Sequence, residues 1–223
     1  MPNEVWGTVK RSDRGLLTVS GPYGVGKDTI LDSILGGYPD TLLHRVRTLT
    51  TRPSSPETDP SYSTASPKEF ERRTQVGRWL VNQQFSGAVS YATSIDEIQE
   101  EIKAGRICLH TIFAGPTGVG RMREVFGKEL FALGILASEG GVEEQLAVLR
   151  DRLQGRTRDD EEGLRIRLSH QLDPIKYVLD NPLVDSSDGP MHVFDEIIVN
   201  DDRERAVKSA QRLFTEAFFD SEE

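Results

Sequence analysis

The sequence predicts an α/β fold in which helices cover both faces of a parallel sheet. The first observation is a β-type run over 16–19 that enters a glycine-rich turn and then a helical pattern. The second is a pair of short, almost wholly apolar runs, 106–114 and 130–137, which are typical of buried parallel strands. The third is the alternation of these runs with helical patterns, as expected of strands joined by crossover helices.

Length and charge narrow the class of protein. A chain of 223 residues can bury one core with small appended lobes, so we expect a single domain over 1–223. The formal charge of −9 and the pI near 5.1 argue against nucleic acid or a membrane as a partner, whereas a small anionic substrate fits. Because neither an apolar leader pattern nor a membrane-spanning run is present, we expect a cytoplasmic protein. Oligomeric state is left open.

Metal and disulfide chemistry have little support in the composition. Cys108 is the lone cysteine, which excludes an intramolecular disulfide and a cysteine zinc cluster. The four histidines show no metal-ligand spacing. We therefore expect Cys108 to be a buried strand residue.

The stretch 21–29, GPYGVGKDT, carries the strongest functional signal. Its spacing of glycine, four residues, glycine and Lys27 lets successive backbone N–H groups converge on phosphate oxygens, while the lysine reaches the outer phosphates. A glycine-rich turn without a ligand is the alternative, which the lysine and both flanking elements disfavour. After the lysine, where this motif normally has a magnesium-binding Ser or Thr, the chain has Asp28 and then Thr29.

Between the first helix and residue 106 the sequence changes character. Residues 53–67 are rich in Pro, Ser, Thr and Asp and predict a loop-like stretch. Apolar residues spaced three and four apart behind Ser94 predict an amphipathic helix over 94–104 with a serine N-cap. The other elements predicted here are a strand over 44–51, a short helix from Pro67 and a strand over 79–85.

The C-terminal half continues the alternation of helices and strands. Residues 159–162 have a capping-box arrangement and predict a helix whose apolar face carries Leu164, Leu168 and Leu172. The polar, glycine- and serine-bearing residues 182–190 predict an exposed loop. The remaining predicted elements are a helix over 142–154, a strand over 194–199 and a closing helix over 201–219.

Four stretches together resemble one family in their order and spacing. They are GPYGVGKDT at 21–29, TTRP with a following Glu and Tyr at 50–62, RLQGRTRDDEEGLRIRL at 152–168, and DEIIVNDD at 195–202. The chain resembles the guanylate kinases from about residue 16 to 214. The resemblance implies a P-loop NTPase-type core, a small acceptor-binding lobe and a helical lid. The implied bounds are 15–52, 94–150 and 170–219 for the core, about 53–93 for the lobe and about 151–169 for the lid.

The resemblance implies a donor site for ATP with Mg²⁺, and arginines around the transferring phosphoryl group, where positioning and cations dominate catalysis. The alternatives are solvated surface arginines and, for Asn200, a helix N-cap. The implied ATP-binding residues are Gly21, Pro22, Tyr23, Gly24, Val25, Gly26, Lys27, Asp28, Thr29, Arg152 and Asn200. The implied catalytic residues are Lys27, Arg52, Arg152, Arg156 and Arg167.

The acceptor lobe matches the family less well. One phosphate-binding arginine of the family falls near Ser55, a glutamate falls on Val81, and two aspartates fall on Thr111 and Phe113. Guanine presents two donors that a buried site must meet with acceptors, so these losses disfavour GMP. The alternatives are that the alignment is displaced by one or two residues in this lobe, or that Asn82, Gln83 or Gln84 supplies a replacement hydrogen-bond acceptor. The implied acceptor-binding residues are Thr48, Arg52, Glu57, Tyr62, Tyr91 and Thr93.

The expected activity is transfer of the γ-phosphoryl of ATP to a small phosphorylated acceptor, which is GMP in the family. Asp28 is a candidate magnesium ligand, with stabilisation of the helix dipole as its alternative role. The Lys-Asp-hydroxyl sequence also resembles ribose 1,5-bisphosphokinases, which supplies a second candidate activity. A non-catalytic guanylate-kinase-like binding module ranks below both, because such modules lose donor-site features that this chain keeps.

Overall fold

The computed structural model describes residues 13–52, 59–84, 89–154 and 168–219. A five-stranded sheet forms its centre, and all of its strand pairs are parallel. This arrangement confirms the predicted α/β fold. In spatial order the strands are β11 (Glu196–Val199), β8 (Leu130–Leu136), β1 (Leu16–Gly21), β7 (Ile107–Phe113) and β2 (Leu43–Arg45).

Helices bury both faces of this sheet. Helices α1 (Lys27–Leu35) and α7 (Arg203–Phe218) pack on the face that carries Leu17 and Val19. Helices α3 (Ile95–Lys103) and α4 (Arg121–Phe126) pack on the face that carries Leu16 and Cys108, and Cys108 is buried as predicted. No helix within the described ranges is both long enough and apolar enough to cross a membrane. The other elements of the core are a π-type turn (Pro116–Gly120), a 3-10 turn (Gly127–Glu129), α5 (Val142–Gln154) and α6 (Leu172–Asp180).

A separate four-stranded sheet forms the lobe between β2 and α3. Its small core consists of Leu49, Phe70 and Ala92. The side chain of Ser66 caps the lobe helix by accepting a hydrogen bond from the Glu69 N–H at 3.3 Å. In spatial order the strands of the lobe sheet are β4 (Tyr62–Thr64), β3 (Thr48–Thr50), β6 (Val89–Ser94) and β5 (Trp79–Gln84). The helix of the lobe is α2 (Pro67–Thr74).

The prediction of one strand over 44–51 is wrong, because the chain changes sheets there. The Val46 N–H donates to the carbonyl of Leu109 at 2.9 Å, and the Val46 side chain is buried in the main core. Two residues later the Thr48 N–H donates to the carbonyl of Ser61 at 2.9 Å, inside the lobe. One continuous β-type sequence pattern therefore contributes strands to two sheets. The bend between these two strands joins the lobe to the core.

The prediction of an exposed loop over 182–190 is also wrong. Strands β9 (Leu183–Ser186) and β10 (Gly189–His192) pair as an antiparallel hairpin. Asn181, with a φ of 38°, ends α6, and its side chain bonds both the carbonyl and the N–H of Phe194 at 3.0 and 2.8 Å. Neither hairpin strand has a buried face, which is why its sequence resembles a loop.

Most of the remaining element predictions are confirmed, including the strands at 106–114 and 130–137 and the helix that Ser94 caps. The capping box at 159–162 and Leu164 lie outside the described residues. Leu172 was expected on an apolar face, but it begins α6 and is 39% exposed. The N-cap of the last helix is Asp202, whose carboxylate accepts from the Arg205 N–H at 2.8 Å, so the N-cap alternative for Asn200 is wrong.

A fully buried arginine links α4 to the edge of the central sheet. Arg123 donates through Nη1 to the carbonyls of Gly127 and Leu130 at 2.8 and 2.9 Å. Its Nε and Nη2 donate to the carbonyl of Val193 at 3.2 and 3.1 Å, and Nη2 also bonds the Asp195 carboxylate. A guanidinium has five N–H donors, and these contacts occupy all of them. The buried charge is therefore both paired and fully hydrogen-bonded.

Candidate active site

The glycine loop lies at the carboxyl end of β1, the central strand. Gly24 and Gly26 have φ values of 84° and 97°, which lie in the left-handed region that favours glycine. A Cβ atom on Gly26 would also come within 2.6 Å of Asn200 Nδ2. Lys27 begins α1 and donates through Nζ to the carbonyls of Gly21 and Pro22 at 3.0 and 2.9 Å. The lysine therefore lies across the loop in which phosphate binding is predicted.

The side-chain amides of two buried residues, Asn200 and Gln171, form hydrogen bonds with the backbone of this loop. Asn200 donates through Nδ2 to the Val25 carbonyl at 2.7 Å. Gln171 accepts from the Tyr23 N–H at 2.6 Å and is 1% exposed, directly before α6. Asn200 was predicted at the ATP site and does contact the loop, while its contact with adenine stays a prediction. Gln171 gave no sequence signal, because nothing in its neighbourhood distinguishes it from a surface residue.

A cavity of about 230 Å³ lies between the loop and the lobe. Five of the six predicted acceptor-binding residues line it together with the loop, and Glu57 lies outside the described residues. Arg156 and Arg167 also lie outside the described residues. The lining contributed by the loop and α1 is Gly21, Tyr23, Gly24, Gly26, Lys27, Asp28 and Thr29, and that of the lobe includes Thr48, Arg52, Tyr62, Tyr91 and Thr93.

Tyr62, on the lobe side of the cavity, interacts electrostatically with Asp28, on the loop side. Burial raises the pKa of Tyr62 above its usual range, and the nearby carboxylate of Asp28 raises this pKa further. The Tyr62 ring lies 6.4 Å from that of Tyr91, centroid to centroid. The phenol therefore stays protonated and keeps its hydrogen-bond donor. Asp28, although exposed, faces the lobe from the first turn of α1.

The cavity lining from strand β5 differs from what the family alignment predicted. Val81 was aligned with a glutamate of the family, but it is 46% exposed and does not line the cavity. Leu80 lines it instead, because successive side chains of a strand point to opposite faces. The strand β7 contributes Thr111 and Phe113, as expected, and also His110.

His110 is a cavity residue that the sequence reasoning missed. It is 1% exposed, and its Nε2 lies 2.9 Å from the Thr93 hydroxyl oxygen. Burial lowers the pKa of His110 to about 4, so the imidazole is neutral at neutral pH. The sequence offered one signal for this residue, since a polar histidine stands inside the otherwise apolar run RICLHTIFA.

Arg152 lies apart from this cavity. Its Nη2 donates to the Asn200 carbonyl, and burial lowers the pKa of the guanidinium. It lines a second, open depression on the other side of the loop, beside Ser138 and Asp201. The structure therefore brings Arg152 to Asn200, but not to Lys27.

Oxygen donors beside Lys27 suit magnesium. Asp28 and Thr29 both line the cavity immediately after the lysine. Magnesium favours oxygen ligands and usually keeps several waters, with few protein ligands. The described part of the chain contains no cluster of three His, Cys, Asp or Glu residues suited to a metal. The oxygen atoms of Asp28 and Thr29 fit an ion whose other ligands come from nucleotide and water.

A central parallel strand that ends in a glycine loop, followed by a lysine that begins a helix, defines an α/β fold of the P-loop class. The family model described as "Guanylate kinase" matches residues 13–217. The chain belongs to the guanylate kinase family.

Individual relatives are similar over most of their length. The guanylate kinase of Salinibacter ruber is 30% identical over 198 residues, which are 88% of this chain and 93% of that protein. The guanylate kinase of Nostoc sp. is 29% identical over 198 residues, which are 88% of this chain and 87% of the relative. The solved guanylate kinase of Anaplasma phagocytophilum has a TM-score of 0.58 at 16% identity, covers 93% of this chain and 87% of its own, and supports the fold.

Proposed function

We propose that this protein transfers the γ-phosphoryl group of ATP to the phosphate of a small phosphorylated acceptor. One observation carries the proposal: the phosphate loop and the acceptor-lobe residues Arg52, Tyr62 and Tyr91 line the same cavity. A cation and two phenols opposite a phosphate loop suit two phosphate groups that must meet. Membership of the guanylate kinase family supports the same reaction class.

The roles follow from the chemistry of phosphoryl transfer. Lys27 and the loop N–H groups hold the donor phosphates, and Lys27 leaves its two loop carbonyls to do so. Arg52 and the protonated phenol of Tyr62 hold the acceptor's phosphate. No strong base is required, because the attacking phosphate oxygen is already anionic near neutral pH. Catalysis then depends on alignment and on positive charge around the moving group.

Magnesium and the lid complete the proposed donor site. Asp28 and Thr29 would hold Mg²⁺ with the nucleotide, and its charge would neutralise phosphate oxygens. Asn200, which bonds the Val25 carbonyl, and Arg152, which bonds the Asn200 carbonyl, would bind the nucleotide. Arg156 and Arg167 are assigned to the transferring group by the family pattern alone.

The proposed acceptor differs from GMP. Among the described lining residues, Leu80 and Phe113 stand where the family resemblance places carboxylates, so the N1–H and amine hydrogens of guanine would meet neutral acceptors such as the Thr93 and Thr111 hydroxyls instead. Each donor left unpaired costs about 1–3 kcal/mol. A ribose phosphate is the second candidate, because the Lys-Asp-Thr sequence at 27–29 of the loop resembles that of the ribose 1,5-bisphosphokinases.

An ATP-consumption screen tests the proposal. The acceptors are GMP, dGMP, AMP, CMP, UMP, ribose 5-phosphate and ribose 1,5-bisphosphate, each with Mg²⁺. We expect turnover with at least one of them and no preference for GMP. Clear GMP preference would contradict the acceptor inference alone. ATP binding by calorimetry without any turnover would instead indicate a binding module.

Substitution of Asp28 by serine tests the metal assignment. We expect the Mg²⁺ concentration at half-maximal activity to rise roughly fivefold, because a carboxylate ligand is lost. Asp32→Ser is the matched control: Asp32 lies one turn further along α1, is paired with Arg45 and does not line the cavity. An unchanged magnesium dependence in Asp28→Ser, with reduced stability, would assign Asp28 to the helix dipole instead.

A further inference from the structure

Arg45 joins the helix that follows the phosphate loop to the lobe. It lies in β2, an edge strand of the central sheet, and its side chain is 17% exposed. Its Nη2 bonds the carboxylate of Asp32, on α1. Its Nη1 donates to the hydroxyl oxygen of Ser61, in the lobe, at 2.9 Å. One guanidinium therefore holds two elements together, and we call these three residues the Asp32–Arg45–Ser61 bridge.

The lobe end of the bridge lies directly behind the cavity wall. Ser61 immediately precedes Tyr62, the first residue of β4, and its carbonyl accepts a hydrogen bond from the Thr48 N–H at 2.9 Å. Tyr62 and Thr48 are in register on neighbouring parallel strands, and both line the cavity. Arg45 and Ser61 do not line it. The bridge therefore acts on two cavity residues without itself reaching a ligand.

The core end of the bridge lies on the helix that carries the donor-binding lysine. Helix α1 begins at Lys27, and Asp32 lies about one turn after Asp28, whose carboxylate interacts electrostatically with Tyr62. This side of α1 therefore faces the Tyr62 segment of the lobe. Because a guanidinium is planar and presents its N–H donors in a fixed fork, it sets the spacing of the two oxygens that it bonds.

We propose that Arg45 is a positioning residue for phosphoryl transfer, which sets the place of Tyr62 relative to the phosphate loop by bonding Asp32 and Ser61. This inference rests on the proposed function and deepens it, because Tyr62 is the phenol assigned to the acceptor's phosphate. In such reactions a misplacement of about 1 Å by a distant substitution can cost roughly a hundredfold in rate. Loss of the bridge should therefore impair use of the acceptor and leave ATP binding intact.

The test uses the full chain and the acceptor from the screen above with the highest kcat/KM. Arg45→Met and Ser61→Ala should each lower kcat/KM for that acceptor about tenfold, the range for one hydrogen bond to a charged group. The KM for ATP should stay within about twofold, since the bridge does not contact the loop. The double variant should lose little more than either single variant, because both remove the same hydrogen bond.

The core end of the bridge gives a separate expectation. Asp32→Ser removes only the contact with α1, so it should show part of the loss in kcat/KM for the acceptor. Its magnesium dependence should stay unchanged, which distinguishes Asp32 from Asp28.

Arg78→Met is the matched control. Arg78 also pairs across the boundary between lobe and core, since its Nε bonds the Asp96 carboxylate on α3 at 2.7 Å, but it does not line the cavity. It should leave kcat/KM for the acceptor within about twofold, as expected of an exposed ion pair. Equal losses in Arg45→Met and Arg78→Met would indicate general loosening of the lobe and overturn the inference.

Two further outcomes would also overturn it. One is an unchanged kcat/KM for the acceptor in Ser61→Ala, which decides the question even if Arg45→Met fails to fold. The other is an equal rise in the KM values for ATP and acceptor in that variant. Absence of turnover with every acceptor in the unaltered protein would instead remove the proposed function and this inference with it.

Discussion

Replacing Lys27 by alanine should lower turnover by roughly a hundred- to a thousandfold, the effect of removing one positioned group from a charge-stabilising site. Lys27 Nζ lies across the glycine loop, bonded to the carbonyls of Gly21 and Pro22, and is the cation to which we assign the donor's outer phosphates. Because the side chain is only partly buried, the fold should tolerate its loss. The measurement is kcat at saturating ATP and acceptor.

A matched lysine separates the loss of this amine from a general loss of positive charge. Lys68, which is exposed in the first turn of α2 and outside the cavity, provides the control variant Lys68→Ala. Its kcat should match that of the unaltered protein. Activity in Lys27→Ala above about one tenth of the original would contradict the role given to the loop, since that loss is far below the magnitude of one positioned group.

Replacing Arg123 by methionine should lower the free energy of unfolding by about 3–5 kcal/mol, the usual cost of breaking a buried ion pair by removing one partner. The variant leaves the Asp195 carboxylate, which is 18% exposed, with the Arg14 guanidinium at 3.5 Å as its remaining cation among the described residues. It also removes the donors to the carbonyls of Gly127, Leu130 and Val193. Since total stability is typically about 5–15 kcal/mol, urea unfolding should show a large shift.

An exposed arginine gives the comparison for this stability experiment. Arg72 pairs with Glu69 three residues earlier on α2, at 70% side-chain exposure. Arg72→Met should change the free energy of unfolding by less than about 1 kcal/mol, because exposed ion pairs contribute little. If Arg123→Met changed stability no more than Arg72→Met, the buried network would have no net stabilising role.

The sequence predicted the parts of the fold in which local pattern and tertiary environment agree. Strand β8 is apolar throughout and buried on both faces, the first four residues of β7 are buried likewise, and the glycine spacing leads directly into α1. The pattern fails at Val46, where a continuous β-type run bends from one sheet to another. It fails again at 183–192, where a hairpin without a buried face resembles a loop.

The candidate site likewise has parts that could be predicted from the sequence and parts that could not. The phosphate loop could be predicted, because its glycines are required by local backbone conformation. Val81 was assigned to the cavity in place of Leu80, since a one-residue offset along a strand reverses the face of every side chain. His110 could not be predicted, because its role depends on a contact with Thr93 on another sheet.

The order of the central sheet separates the two halves of the site physically. Strand β1 lies between β7 and β8, so the loop leaves the sheet with one neighbour on each side. The β7 side opens onto the lobe cavity, and the β8 side leads to the depression at Arg152. Side chains at the end of β7 therefore reach the lobe cavity, whereas those that follow β8 reach the depression at Arg152, so the two flanks of the loop can be altered by substitutions on different strands.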